Sequence, residues 1–274
     1  MRGINEGQPM KIAIAGAAGR MGRALIEGVL KHDVLKLAAA FDVAASGAVG
    51  KDAGEWIGVQ SGVSVGADAA AAIAVSQCLI DFTRPEATLA HLDLALARGS
   101  AMVIGTTGFT PEQKQRITDA SKRIAVVMAP NFAIGVNVTF KLAEIAAKSL
   151  GAEFDVEIIE AHHKHKVDAP SGTALRLGEV VADALGRDLK TDAVYGREGI
   201  TGERGAKSIA FHSIRGGDII GEHTVIFAGE GECVEVTVRS QSRMTYASGA
   251  LRAAVFLKGK SAGLYDMQDV LGLK

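Results

Sequence analysis

Three histidines and two lysines crowd residues 162–166, inside the longer run E-A-H-H-K-H-K-V-D-A-P-S-G-T from Glu160 to Thr173. Histidine titrates near neutrality and lysine carries a fixed charge, so such a cluster can bind carboxylates and hand a proton to a reacting centre. Histidine is also the commonest protein ligand for zinc. The interleaved Lys164 and Lys166 would repel a divalent cation, however, so an anionic substrate suits the run better than a metal. A solvated basic loop would share the composition. Against it, Pro170-Ser171-Gly172-Thr173 leads directly into A-L-R-L-G-E-V-V-A-D-A-L, where Leu175, Val180, Val181 and Leu185 fall roughly on one helical face. Ser171 or Thr173 is then the N-cap, and the N–H groups of the first turn make an anion site beside the basic cluster.

The cluster needs elements to carry it. A helix from Gly135 leads to F-D-V-E-I-I-E-A-H-H, a strand that delivers the cluster at its end. Beyond residue 205, K-S-I-A-F-H-S-I-R, D-I-I-G-E-H-T-V-I-F and C-V-E-V-T-V-R-S, separated by glycine turns, read as consecutive antiparallel strands. A mixed sheet with helices on one face follows for residues 133–242, an α+β domain for substrate binding whose exposed sheet face suits a homo-oligomer.

The first half has a different texture. After Met10, K-I-A-I-A-G-A-A-G-R-M-G-R-A-L-I-E-G-V-L is a short strand, a glycine turn and an amphipathic helix, with Gly16, Gly19 and Gly22 spaced G-x-x-G-x-x-G and Ala18 at the middle position of the commoner G-x-G-x-x-G fingerprint. Backbone N–H groups and the helix dipole at such a turn hold a pyrophosphate. A second strand, L-K-L-A-A-A-F-D, ends on Asp42, 20 residues beyond Gly22, where a carboxylate meets the adenosine ribose hydroxyls. Strands around 74–83, 100–109 and 123–132 alternate with helices and are apolar on both faces, which indicates a doubly wound, Rossmann-like parallel sheet over residues 10–132. They end in the turns Asp81-Phe82-Thr83, Gly105-Thr106-Thr107 and Ala129-Pro130-Asn131-Phe132. Ligands bind outside the carboxyl ends of such strands, so these turns are expected to line a cofactor cleft. Plain turn chemistry uses the same residue types. The segment 243–274 is helical or loop-like and is expected to return to this domain.

Composition narrows the classes. In 274 residues, 30 Lys and Arg against 31 Asp and Glu give a net charge of −1, with no global attraction to nucleic acid or membrane. No apolar run approaches the roughly 20 residues that span a bilayer, and the N-terminus lacks the apolar core of a signal peptide. Cys78 and Cys233 lie far apart in apolar or strand-like stretches and read as reduced core residues. A cytoplasmic protein with a poorly ordered segment 1–9 is expected.

Together, G-A-A-G-R-M-G, I-D-F-T-R-P-E, V-I-G-T-T-G-F, A-P-N-F-A-I-G-V-N and E-I-I-E-A-H-H-K-H-K-V-D-A-P-S-G-T-A resemble, in order from residue 11 to about 270, the 4-hydroxy-tetrahydrodipicolinate reductase (dihydrodipicolinate reductase) family. The histidine-lysine stretch is highly specific, whereas the glycine turn alone fits many nucleotide enzymes. The resemblance implies reduction of a cyclic, unsaturated imine dicarboxylate by NADH or NADPH, giving tetrahydrodipicolinate and water in diaminopimelate and lysine biosynthesis, and a homotetramer. It makes His162 the acid/base residue and Lys166 the proton donor. His163, Ser171, Gly172 and Thr173 become contacts to the substrate carboxylates. Gly16, Ala17, Ala18, Gly19, Arg20, Met21, Asp42, Gly105, Thr106, Thr107, Ala129, Pro130, Asn131 and Phe132 become the cofactor site, with no metal. Val43 stands where some relatives carry an arginine, so the cofactor leans to NADH, although Arg20 is an alternative phosphate partner. Arg243 either braces the cluster or makes a structural salt bridge. Two other classes fit parts of the sequence. A nucleotide-sensing regulator would not need the His/Lys cluster, and a metal-dependent hydrolase would need acidic ligands that are not placed nearby.

Overall fold

The run Met10–Ala15 forms β1 and sends Ile12 and Ile14 to one side of a sheet and Ala13 and Ala15 to the other, all buried. A strand buried on both faces needs helices on both. The computed structural model describes residues 8–242 and 244–274; Arg243 and most of the N-terminal segment read above as poorly ordered lie outside the described residues. After β1 come α1 (Arg20–Leu30), β2 (Leu35–Phe41), β3 (Val65–Gly66), α2 (Ala69–Ala74), β4 (Cys78–Asp81), α3 (Pro85–Arg98), β5 (Ala101–Ile104), α4 (Pro111–Ser121) and β6 (Ala125–Met128). The chain continues through α5 (Ile134–Leu150), β7 (Asp155–His162), α6 (Gly172–Leu185), α7 (Leu189–Asp192), β8 (Ala193–Tyr195), β9 (Ile209–Arg215), β10 (Gly221–Ala228) and β11 (Cys233–Ser240). It ends with α8 (Met244–Leu257), β12 (Gly263–Tyr265) and α9 (Met267–Leu271). These elements fall into two units, divided after Ile134 and again after Ser242.

The first unit holds a seven-stranded sheet in the order β12-β6-β5-β4-β1-β2-β3, parallel throughout. On one side Leu25, Ile26 and Val29 of α1 and Leu251, Ala254 and Leu257 of α8 pack on Ile12, Ile80, Val103 and Val127. On the other, Ile73, Leu89, Leu92 and Ile117 from α2, α3 and α4 pack on Leu79, Met102 and Val126. Burying each such aliphatic side chain stabilises the fold by roughly 1.5–3 kcal/mol. Strand order reverses between β1 and β4, which is the switch point where ligands bind in sheets of this kind.

The second unit holds a mixed five-stranded sheet, β11-β10-β7-β9-β8. The strands β9 and β10, expected to be neighbours, are not. β7 lies between them, parallel to β9 and antiparallel to β10, so that both of its edges are paired. The loop from Arg215 to Gly221 therefore crosses the end of β7, with the Gly216 amide donating to the His162 carbonyl at 3.0 Å and the Lys164 amide to Gly217 at 3.2 Å. The buried stripe of α6 is Ala174, Leu177, Gly178, Val181 and Ala182. Of the four residues expected to form it only Val181 is buried, because the stripe is turned toward the small residues that let the helix approach β7, β9 and β10. Cys78 is buried, which pushes its thiol up to about 12. Cys233 is exposed, contrary to a core assignment, since it opens the edge strand β11 at an outward position.

Candidate active site

Alternation along β7 buries Val156 and Ile158, and the same face takes Glu160, whose side chain is 1% exposed. His162, two residues on, occupies the strand end. Its Nδ1 lies 2.5 Å from Glu160 Oε2. Both terminal nitrogens of Arg215 donate to the same carboxylate, at 2.8 and 2.7 Å, and the Ser171 amide donates to it at 3.2 Å. Burial raises the Glu160 carboxyl, but hydrogen bonds from Arg215, Ser213 and His162 outweigh it and hold it at about 2. Burial pulls His162 below its ordinary value, with Lys166 and Arg215 pulling the same way and Glu160 opposing them. A neutral ring that donates Nδ1–H to a carboxylate presents Nε2 for proton exchange.

Around this pair the other charges are placed by the loop after β7. Lys166 Nζ donates to both oxygens of Asp168 at 2.9 Å. The Asp168 carboxyl is lowered, first by the Lys166 hydrogen bond. His163 has a buried Nδ1 with no hydrogen-bond partner among the described residues, a polar atom suited to a ligand. The N-cap of α6 is Ser171, not Thr173, and its hydroxyl accepts from the Ala174 amide. That hydroxyl also meets His223 Nε2 at 2.8 Å, and the residue is only 2% exposed. Ser171 is thus turned inward, where it sets the helix start instead of offering its side chain outward. Gly172 and Thr173 form the first turn that follows, with Gly172 exposed. His223 meets His162 edge to face at 5.1 Å, and burial, then repulsion from His162, pushes it down to about 4.

In the first unit the backbone carries the site. Gly16 has φ +67°, and a Cβ on Gly22 would stand 2.1 Å from the Gly16 carbonyl oxygen, so neither turn nor helix start tolerates a side chain there. Gly19 caps α1 without a side-chain hydrogen bond, leaving the first-turn amides to a phosphate. These features fit a dinucleotide. The Asp42 carboxylate accepts from the Ala18 and Val43 amides, both at 2.8 Å, which ties the end of β2 to the glycine turn. Thr106 is buried, its hydroxyl 2.8 Å from Thr88 Oγ1 and accepting from the Thr83 amide at 3.0 Å. Both threonines converge on Asp81, whose second oxygen meets His91 Nδ1 at 2.7 Å. Thr106 therefore anchors the turns after β4 and β5, whereas Gly105 and Thr107 after β5 and Pro130 after β6 keep exposed surface. Phe132 is buried against Phe82, and Ala17 and Ala129 are buried too, so these residues can meet a cofactor only through the backbone.

Glu160, Arg215, His223 and Asp168 are absent from the residues selected by sequence. Glu160 had a signal: a lone carboxylate at an inward position of β7. Arg215 and His223 had none, because they reach the cluster from strands far along the chain.

Two family models match in order: dihydrodipicolinate reductase, N-terminus, over residues 10–132, and dihydrodipicolinate reductase, C-terminus, over residues 135–271. A 4-hydroxy-tetrahydrodipicolinate reductase of Aromatoleum aromaticum is 62% identical over 97% of this chain and 96% of its own. That of Cupriavidus metallidurans is 60% identical over 97% of this chain and all of its own length, 100%. Among solved structures, a dipicolinate-bound dihydrodipicolinate reductase from Paenisporosarcina sp. TG-14 superimposes with a TM-score of 0.77 at 30% identity, covering 96% of this chain and 99% of that one. An amine dehydrogenase from Mycobacterium smegmatis, at 12% identity and TM-score 0.59 over 95% and 96% of the two chains, shares the fold alone. With both halves matched in order and the His/Lys cluster built as described, the chain belongs to the dihydrodipicolinate reductase family.

Proposed function

We infer that the chain reduces 4-hydroxy-tetrahydrodipicolinate to tetrahydrodipicolinate and water with NADH or NADPH, a step of diaminopimelate and lysine biosynthesis. One arrangement carries this reading beyond family membership: a histidine held through Nδ1 by a buried carboxylate, with a lysine and an open helix start in the same unit. A bound nicotinamide supplies the hydride. The backbone of the glycine turn, Asp42 and the turns after β4, β5 and β6 hold it. The substrate's two carboxylates need two cationic or N–H-rich receptors, and the start of α6 with Gly172 and Thr173 is one. His163 and the lysines are the other. Loss of the 4-hydroxyl as water, with the hydroxyl protonated as it leaves and a ring C–H proton given up, makes the conjugated imine. Hydride entry there leaves an electron-rich enamine, to which the Lys166 ammonium gives a proton while His162 exchanges one at Nε2. NADH oxidation by the purified protein, followed with and without the cyclic dicarboxylate, tests the reading. Oxidation only with the dicarboxylate is expected, and no oxidation with authentic substrate removes it.

The cofactor lean is to NADH. Asp42 accepts ribose hydroxyls and repels a 2′-phosphate, and the neighbouring Val43 is exposed and uncharged. Arg23 and Lys51, which line a pocket of about 340 Å³ with Ala18 and Ser46, work against that lean. A kcat/KM strongly favouring NADPH overturns it. We assign a homotetramer on the outward face of the mixed sheet, where half-exposed Ile159 and Ile226 lie beside the Thr224–Thr237 pair. Light scattering checks the mass. The cytoplasm is the matching compartment for a biosynthetic enzyme, and no described helix is long and apolar enough to cross a membrane.

A further inference from the structure

Arg215 ends β9 directly beside His162 in the parallel register of β7 and β9. Its guanidinium makes two separate connections. Through the paired hydrogen bonds to Glu160 it reaches His162 Nδ1. Through Nη2, which also donates to the Asp168 backbone carbonyl at 2.7 Å, it reaches the residue whose side chain holds Lys166. The following glycines complete the clasp, since Gly216 donates to the His162 carbonyl and Gly217 accepts from Lys164. The end of β7 that bears His162 and the loop that bears Lys166 are thus both fastened to Arg215.

We propose that Arg215 is a positioning residue for the reduction, holding Glu160 and the loop at Asp168 so that His162 and Lys166 keep fixed orientations relative to each other. A planar guanidinium suits the task because its fork binds a carboxylate with two donors and leaves N–H directions for a third acceptor, which an ammonium does not reproduce. Glu160 has a side-chain exposure of 1%, so without Arg215 it would be a buried, under-neutralised carboxylate beside an imidazole. The neighbouring strand leaves room for the His162 ring. A Cβ on Gly221 would stand 3.2 Å from Nε2, so a side chain at that position of β10 would crowd the ring. The groups facing His162 are Glu160 on its own strand, Arg215 from β9, His223 from β10, and Lys166 from the loop. Of these Glu160 alone is anionic.

The inference rests on the proposed reduction for its activity readout, but not for its titration readout. The test uses the full chain with Arg215→Met, Arg215→Lys and Glu160→Gln. It measures kcat and KM with the cyclic dicarboxylate, NADH affinity by fluorescence, melting temperature, and titration of the His162 ring by NMR, assigned with His162→Gln. Arg215→Met removes a repelling cation and leaves Glu160 less neutralised, so the His162 titration moves to higher pH. Glu160→Gln removes the attracting anion, and the titration moves to lower pH. Turnover falls in both, by about 10²-fold, the usual cost of a misplaced group, with NADH affinity unchanged. Arg215→Lys keeps the charge but not the fork, so its turnover falls with little shift in the titration. Shifts in the same direction for Arg215→Met and Glu160→Gln overturn the proposal, because general loosening does not distinguish the sign of the charge removed. If those two variants do not fold, Arg215→Lys decides. Reduced turnover at an unchanged melting temperature supports positioning, and wild-type turnover overturns it. A wild-type chain that leaves the dicarboxylate unreduced defeats the proposed function, while the opposite NMR shifts still decide the role of Arg215.

Discussion

The glycine turn after β1 and the histidine-lysine cluster after β7 both sit where a strand ends, yet they are built from opposite materials. The turn works by what is missing: a Gly22 side chain would collide with the Gly16 carbonyl, and Gly19 caps α1 with no side chain of its own. The cluster works by side chains, and its parts come from β7, its following loop, β9 and β10. A backbone site is local, so its requirements lie within one turn of chain. A side-chain site inside a sheet recruits whatever the neighbouring strands bring, at any distance in sequence.

If that contrast holds, damage to the cluster will appear in turnover and damage to the turn in cofactor affinity. The largest effect belongs to Lys166→Ala, for which turnover should drop by roughly 10²- to 10⁴-fold, the range for losing a positioned acid. His162→Ala should also be severe, and the double variant little worse than the poorer single one, because groups acting as a unit are not additive. Single-turnover hydride transfer measures this, and NADH fluorescence titration should give wild-type affinity in all three. Near wild-type turnover in the lysine variant would take it out of the reaction.

Gly22→Ala tests the other side. Its Cβ must displace backbone, so NADH affinity should weaken by about 10-fold or more, while the NMR titration of His162 stays at its wild-type position. A variant that binds NADH normally would mean that the turn does not carry the pyrophosphate.

A third effect is thermodynamic. His223 has its ordinary value of 6.5 in the unfolded chain and about 4 in the fold. Between those values the unfolded state binds more protons, so stability falls as pH falls through the window, by on the order of 3 kcal/mol once complete. His162 shifts in the same direction and adds to it. Glu160, also held low, shifts in the same direction but in a lower window: its contribution is fully present above about 4.5 and is lost as pH falls below it. Melting temperatures from pH 7 to 5 should decline in the wild type and decline less in His223→Gln. Equal slopes would show that the buried ring does not set the acid limit.

The smallest effect is expected from Thr173→Val, which keeps the shape of the α6 start and removes one hydroxyl. KM for the dicarboxylate should rise by about 5- to 10-fold, the equivalent of one hydrogen bond, with NADH binding unaltered. An unchanged KM would place the hydroxyl outside the carboxylate site.

What could be read in advance follows the same division. Helices with their own punctuation were legible: α3 runs from Pro85 to Arg98 before Gly99 in the left-handed region, and α4 begins at the Thr110-Pro111 capping box. Pairing between strands was not, and β7 displaced the expected β9–β10 hairpin because hydrogen-bond partners in a sheet are chosen by space and not by sequence order. The face of α6 was misread for a related reason. Its buried stripe is chosen by the sheet beneath it, which takes Ala174 and Gly178 in preference to Leu175 and Leu185.

By itself the sequence determined the kinds of group present: a glycine turn between a strand and a helix, a carboxylate at Asp42 where the second strand ends, and a run of histidines and lysines from His162 to Lys166. Those depend on residue types within a few positions of one another, which no folding partner can alter. Only the tertiary structure decided how the donors are held. It turned Ser171 and Thr106 inward, placed His223 against His162, and brought Arg215 to the buried Glu160. Burial and charge neutralisation act through space, so residues distant in the chain set the protonation and orientation of a cluster whose members are adjacent in it.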